Sequence, residues 1–316
     1  MFRVFKPRAY GRFVSSSVIK CGVPKPNWIV SASTIAIMGY GTWWYYYPHH
    51  KFPKTVANSL RYALWEEEKT KDFKKSLSFF VVALNECNKL NMDTLSDEYT
   101  GIEIKIAEMY EKLNLDQQAQ DIYLSILEKL QGGIKSCTNI TEKGRLLNKD
   151  LSILVKLCQK PNFISVNTKA AYLQYHINLA QDEIFESCSD LRTLMENTEL
   201  PNIVASDKGS NLNKTIPNLS KYKAAIHPFK ESFFVARDLL TEAYLNSNNT
   251  DRAIQSKMIT IGWMILAGMP VGQVLLSQTN LASLLYMKSE DIEAELYKRR
   301  KDNVVIESAK EFGYET

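Results

Sequence analysis

Between residues 97 and 130 the apolar side chains of DEYTGIEIKIAEMYEKLNLDQQAQDIYLSILEKL return at intervals of three and four. Ile102, Ile106, Met109, Tyr110 and Leu113 share one helix face, Asn114-Leu115-Asp116 breaks the pattern, and Ala119, Tyr123, Ile126 and Leu130 form a second stripe. This predicts a helical hairpin. Ala107 and Ala119 let its two helices approach closely, and Tyr110 and Tyr123 fill the space beside them. That is tetratricopeptide spacing, with Ile106 and Ala107 at the Leu-Gly positions of the repeat. The twelve-residue interval recurs from Thr241 to Ala253, with Leu240 and Tyr244, and from Ala282 to Ala294, with Leu281 and Leu285. A degenerate first unit falls at 55–89, with Ser76, Phe80 and Ala83 at the expected offsets of its second helix, and two more helices are predicted near 145–159 and 167–188. ASDKGSNLNKTIPNLSK, 205–221, has the composition of a long exposed loop. The expected fold is all-α: a tetratricopeptide-like solenoid of helical hairpins over 52–190 and 229–316, joined by a linker at 191–228.

A different pattern precedes the repeats. WIVSASTIAIMGYGTWWYYY, residues 28–47, contains no charge in 20 positions, enough for a helix to cross the hydrocarbon layer of about 30 Å. It ends in five consecutive aromatic rings, which no helix or strand buries on one side, and which suit the headgroup level of a bilayer. The segment reads as one transmembrane helix stopped by Pro48. A secretory signal has a shorter apolar region and small residues at its end, and a buried soluble helix does not account for the aromatic terminus.

Charge then fixes compartment and orientation. Residues 1–27 carry Arg3, Lys6, Arg8, Arg12, Lys20 and Lys25, whereas the first acidic residue of the chain is Glu66. Cations interleaved with Phe, Val and Ser are the composition of a mitochondrial targeting segment, although Pro7 interrupts a helix there. Six cations before the span, against Lys51, Lys54 and Arg61 after it, place the N-terminus in the matrix and the C-terminal part in the intermembrane space. The net charge of +4 sits largely in the leader, so no basic patch points to nucleic acid. Five cysteines without close pairing suggest neither a zinc site nor a disulfide framework. His49 and His50 lack nearby Cys or carboxylate partners and read as interfacial rather than metal-binding. No catalytic or nucleotide-binding motif occurs, and four histidines offer little acid–base machinery, so the expectation is a protein without catalytic residues or cofactor.

PHHKFPK at 48–54, LSDEYTGIEIKIAEMYEKL at 95–113 and GWMILAGMP at 262–270 resemble a budding-yeast family of mitochondrial inner-membrane tetratricopeptide proteins. That family includes an adaptor subunit of the i-AAA protease supercomplex. The resemblance implies an adaptor that presents unfolded polypeptides to the protease. It also implies further repeats beyond the position where this chain ends. A structural assembly factor for respiratory complexes is the alternative. In tetratricopeptide repeats the first helices line the inner groove, which selects Ile104, Glu108, Glu111 and Lys112 in one repeat and Asp238, Glu242 and Asn246 in another. Their carboxylates favour basic or mixed hydrophobic segments over acidic ones. An ordinary solvated helix face is the competing reading of these charges.

Overall fold

Four helices of this chain end where the sequence supplies an Asn or Gly that tolerates a left-handed backbone. The computed structural model describes residues 38–40, 52–160, 163–196 and 218–311. Residues 38–40 are helical. The rest of the expected span at 28–47 lies outside the described residues, as does the targeting segment. Among the described residues no helix is long and apolar enough to cross a membrane.

From Phe52 onward the described residues form helices and no strand. They are α1 (Lys54–Trp65), α2 (Phe73–Lys89), α3 (Asp97–Lys112), α4 (Asp116–Ser136), α5 (Ile140–Gln159), α6 (Val166–Ser187), α7 (Ser189–Glu196), α8 (Leu219–Ile226), α9 (Lys230–Asn246), α10 (Thr250–Leu266) and α11 (Val271–Glu311). A π-helical turn, Glu66–Thr70, extends α1, and a 3-10 turn, His227–Phe229, joins α8 to α9. Asp72, Ser96, Asn139, Ser165 and Asn249 cap helix N-termini, each side chain accepting from a backbone N–H two or three residues on. After α2, α3, α9 and α10 the chain passes through Asn91, Asn114, Asn248 and Gly268 at positive φ. The next amide then reaches back to close the turn, as Leu115 N does to Tyr110 O at 2.9 Å.

The hairpins α1/α2, α3/α4 and α9/α10 pack along their lengths, and successive elements stack on one another. Each buries a face against its neighbours, the logic of a quasi-one-dimensional array. Ala107 and Ala119 have no exposed surface, which permits the close approach of α3 and α4. Ser76, Phe80 and Ala83 are also buried, and Ser76 Oγ donates to Ala63 O (2.8 Å) where α1 and α2 meet. Two cores result. One gathers Val56, Phe80, Ile102 and Met109 from α1–α3. The other runs through Leu130, Leu147, Leu154, Ile177, Phe233 and Trp263. Tyr110 and Ile122, partly buried, pack against both.

Two expectations are corrected. The third twelve-residue pair does not mark a hairpin: Ala282 and Ala294 are exposed on the single 41-residue helix α11. Nothing in MKSEDIEAELYKRRKD breaks a helix, and a spacing of twelve fits one straight helix as well as two. Residues 219–228, assigned to the linker, instead fold as α8 and the start of the 3-10 turn. Leu219, Tyr222 and Ile226 are buried there. Most of the expected exposed loop, up to residue 217, lies outside the described residues.

Candidate functional site

The four α3 residues picked out by the repeat spacing occupy one strip of that helix. Ile104 packs partly buried against the larger core. Glu108, Glu111 and Lys112 line a cleft of about 280 Å³ together with Tyr123, Lys156 and Lys160. The carboxylates are held by lysines from the end of α5: Lys156 Nζ donates to Glu108 at 2.6 Å, and Lys160 Nζ lies 2.8 Å from Glu111. Tyr123, fully buried, donates its hydroxyl to the other oxygen of Glu111 at 2.8 Å. Lys112 donates to Glu67 at 2.6 Å and lies over the Phe73 ring. The strip is therefore charge-balanced rather than anionic. The α9 set lies apart from this cleft: Asp238 accepts from Lys257 (2.7 Å), while Glu242 and Asn246 are exposed.

Burial pushes the Glu108 carboxyl up, but Lys156 and Lys105 outweigh it and hold the group below the ordinary carboxylate range. A depressed folded-state value means that this pairing stabilises the fold above the unfolded carboxylate pKa and is lost as pH falls through the folded value. Glu108→Gln is therefore expected to cost roughly 1 kcal/mol or less at neutral pH, because Lys156 is half exposed and screened. The difference from the parent chain should vanish in urea titrations at acid pH. A cost that persists there contradicts an ionic origin.

A second cleft, of about 430 Å³, opens between α6, α9 and α10. At its base is Arg237, which falls on the apolar stripe of α9 between Phe233 and Leu240 and is only 4% exposed. Its Nε donates to Thr260 Oγ1 (2.9 Å). The hydrogen-bonding network turns the Gln181 amide oxygen toward Arg237 Nη1 (2.8 Å) and Trp263 Nε1 (3.1 Å). The guanidinium also lies 5.6 Å from the Phe233 ring centroid. Its directional partners are thus neutral, and desolvation lowers its pKa to about 10, so it remains charged at neutral pH.

A third buried polar group joins α5 to α6. Asp150, with no exposed surface, meets His176 Nδ1 through Oδ2 at 2.7 Å. Its Oδ1 has no partner among the described residues. Burial raises the Asp150 carboxyl. His176 is flanked by the rings of Tyr172 and Tyr175 at the wall of a cleft of about 420 Å³. The repeat pattern selected neither Arg237 nor Asp150. A signal existed in both cases: an ionisable residue standing on an apolar helical stripe.

A family model, MGR3 middle domain, matches residues 134–269. Over 298 residues, 86% of the chain, the sequence is 37% identical to "Protein MRG3-like" of Saccharomyces cerevisiae. Over 268 residues, 78% of the chain, it is 37% identical to the same yeast's "Mitochondrial inner membrane i-AAA protease supercomplex subunit MGR3". The chain is thus similar to these two yeast proteins over most of its length, and to the MGR3 middle domain over residues 134–269. It spans 63% and 53% of the lengths of these two relatives. The MGR3 middle domain runs from the end of α4 to just past α10, so it contains the Arg237 cleft and the Asp150–His176 pair entire. The α9 set lies within it, whereas Ile104, Glu108, Glu111 and Lys112 lie before it.

Proposed function

We propose that this chain is a non-catalytic, membrane-anchored adaptor that recruits unfolded substrates to the i-AAA protease of the mitochondrial inner membrane. The observation that carries the reading is its 37% identity to a subunit of that supercomplex. An array of helical hairpins, read as tetratricopeptide repeats, suits it physically, because stacked hairpins offer extended surfaces that bind chains without catalysis. Residues 1–27 act as the targeting and matrix segment and 28–47 as the single span, leaving the helical array in the intermembrane space. The strip at Ile104, Glu108, Glu111 and Lys112, with Asp238, Glu242 and Asn246, is the proposed surface for unfolded chains. Its charge-balanced α3 part favours segments that mix apolar and charged residues.

The test has two parts on the full chain in mitochondria. After extraction in mild detergent, a tagged chain should bring down ATP-dependent protease subunits. Recovery of respiratory-complex subunits instead would favour the assembly-factor reading. In mitochondria with a ruptured outer membrane and an intact inner one, added protease should destroy a C-terminal tag. A protected tag would sink the topology.

A further inference from the structure

The Arg237 guanidinium is a charge placed in the interior, and among the described residues no carboxylate is hydrogen-bonded to it. Transfer of such a group from water is costly unless an opposite charge or full hydrogen bonding offsets it. Nε donates to Thr260 and one N–H of Nη1 to Gln181, leaving the second N–H of Nη1 and both of Nη2 without a protein acceptor among the described residues. The neighbouring acids are committed elsewhere: Asp238 to Lys257, and Asp182 to Arg192 at 3.7 Å. The cleft over Arg237 has no acidic residue in its lining, whereas Arg192 and Arg252 stand exposed at its mouth. Arg237 and Arg252 thus line a concave space large enough for a few residues of ligand, with Arg192, over the Phe185 ring and 3.7 Å from Asp182, at its edge.

We infer that the cleft between α6, α9 and α10 binds the carboxylate of a peptide segment, with Arg237 as its buried counter-ion. A planar guanidinium with one free edge matches a carboxylate, which accepts two parallel N–H bonds. The rest of the lining fits a peptide. Gln255 can pair with a main-chain amide, while Trp263 and Ile259 supply an apolar wall for a neighbouring side chain. The exposed arginines at the mouth steer an anionic segment inward. This site stands independently of the protease reading, because it rests on the geometry of the cleft alone.

The experiment uses the full chain purified in mild detergent and three fluorescein-labelled pentapeptides of matched apolar content, read by anisotropy at physiological salt. One has two glutamate side chains and an amidated C-terminus. The second replaces both glutamates by glutamine. The third has neutral side chains and a free C-terminal carboxylate. At least one carboxylate probe is expected to bind about tenfold or more tightly than the glutamine probe, equivalent to roughly 1.4 kcal/mol. Whichever binds better identifies the source of the carboxylate. Arg237→Gln should abolish the preference. The reversal Arg192→Glu with Arg252→Glu, both exposed, should weaken it at the cost of no more than the surface contacts of Arg192 with Asp182 and Phe185, and decides the matter if Arg237→Gln does not fold. Equal binding of all three probes, or a preference that survives the double reversal, would overturn the assignment. So would a phosphoserine probe that outbinds both carboxylate probes.

Discussion

His176→Leu is expected to destabilise the folded chain by about 3 kcal/mol, the upper end of the cost of leaving a buried polar group without its hydrogen-bond partner. The loss comes from the group left behind. Asp150 has no exposed surface, its Oδ1 is already without a partner among the described residues, and His176 Nδ1 holds the other oxygen. Leucine strands the whole carboxyl in an apolar layer formed by α5 and α6. The double change Asp150→Leu with His176→Leu should recover much of the loss, because two apolar groups of similar size leave nothing unsatisfied. The pH dependence has a definite sign. Burial raises the Asp150 carboxyl, so in the His176→Leu variant the folded state holds its proton more tightly than the unfolded state. Stability is then greatest below the unfolded carboxylate pKa and falls as pH rises through the folded value. Urea midpoints at neutral and acid pH should show the deficit shrinking on acidification. A deficit under about 1 kcal/mol at neutral pH would mean that the pair carries little.

Trp263→Ala is the second large effect, about 3–5 kcal/mol, by the range for an aromatic removed from a core. Trp263 is fully buried, 5.8 Å from the Phe185 ring and 5.6 Å edge-on from Phe233. Its indole N–H also donates to the Gln181 amide oxygen that serves Arg237. Alanine opens a cavity where α6, α9 and α10 meet and removes one of the two donors that orient this amide. For a chain of this size about 2–4 °C accompanies each kcal/mol, so the thermal midpoint should fall by roughly 10 °C. Trp263→Phe should fall by less. A midpoint within about 2 °C of the parent for the alanine variant would contradict the packing described.

The α3/α4 hairpin was legible in the sequence because everything that specifies it is local. The apolar stripes, the Asn114 turn and the small pair Ala107 and Ala119 lie within one stretch of chain, and all appear where the spacing puts them. Tyr123 is fully buried as expected, while Tyr110 is only partly so because it faces both cores. The false hairpin at Ala282 and Ala294 has an equally plain cause. A spacing of two small residues carries no information about a turn, and no Asn or Gly stands between them to accept a left-handed backbone. The candidate surfaces were less legible for a physical reason. Glu108 and Glu111 owe their neutralisation to Lys156 and Lys160, which helix packing brings across from α5. The apolar stripe of α9 marks Arg237 as inward-facing, but its neutral partners Thr260 and Gln181 come from two other helices. Local pattern shows which residues face inward, and only tertiary structure shows who meets them.

The two cores share α3, since Ala107 belongs to one and Ile102, Ile106 and Met109 to the other. In mechanical terms this helix is a common wall. Close-packed interiors deform little, so a wall with filled space on two sides cannot lean toward either without displacing the contents. Its remaining strip, through Ile104, Glu108 and Glu111, is tied by lysines to α5. A ligand that grips that strip therefore loads both halves of the array at once, and the stiffness it meets is that of the two cores together.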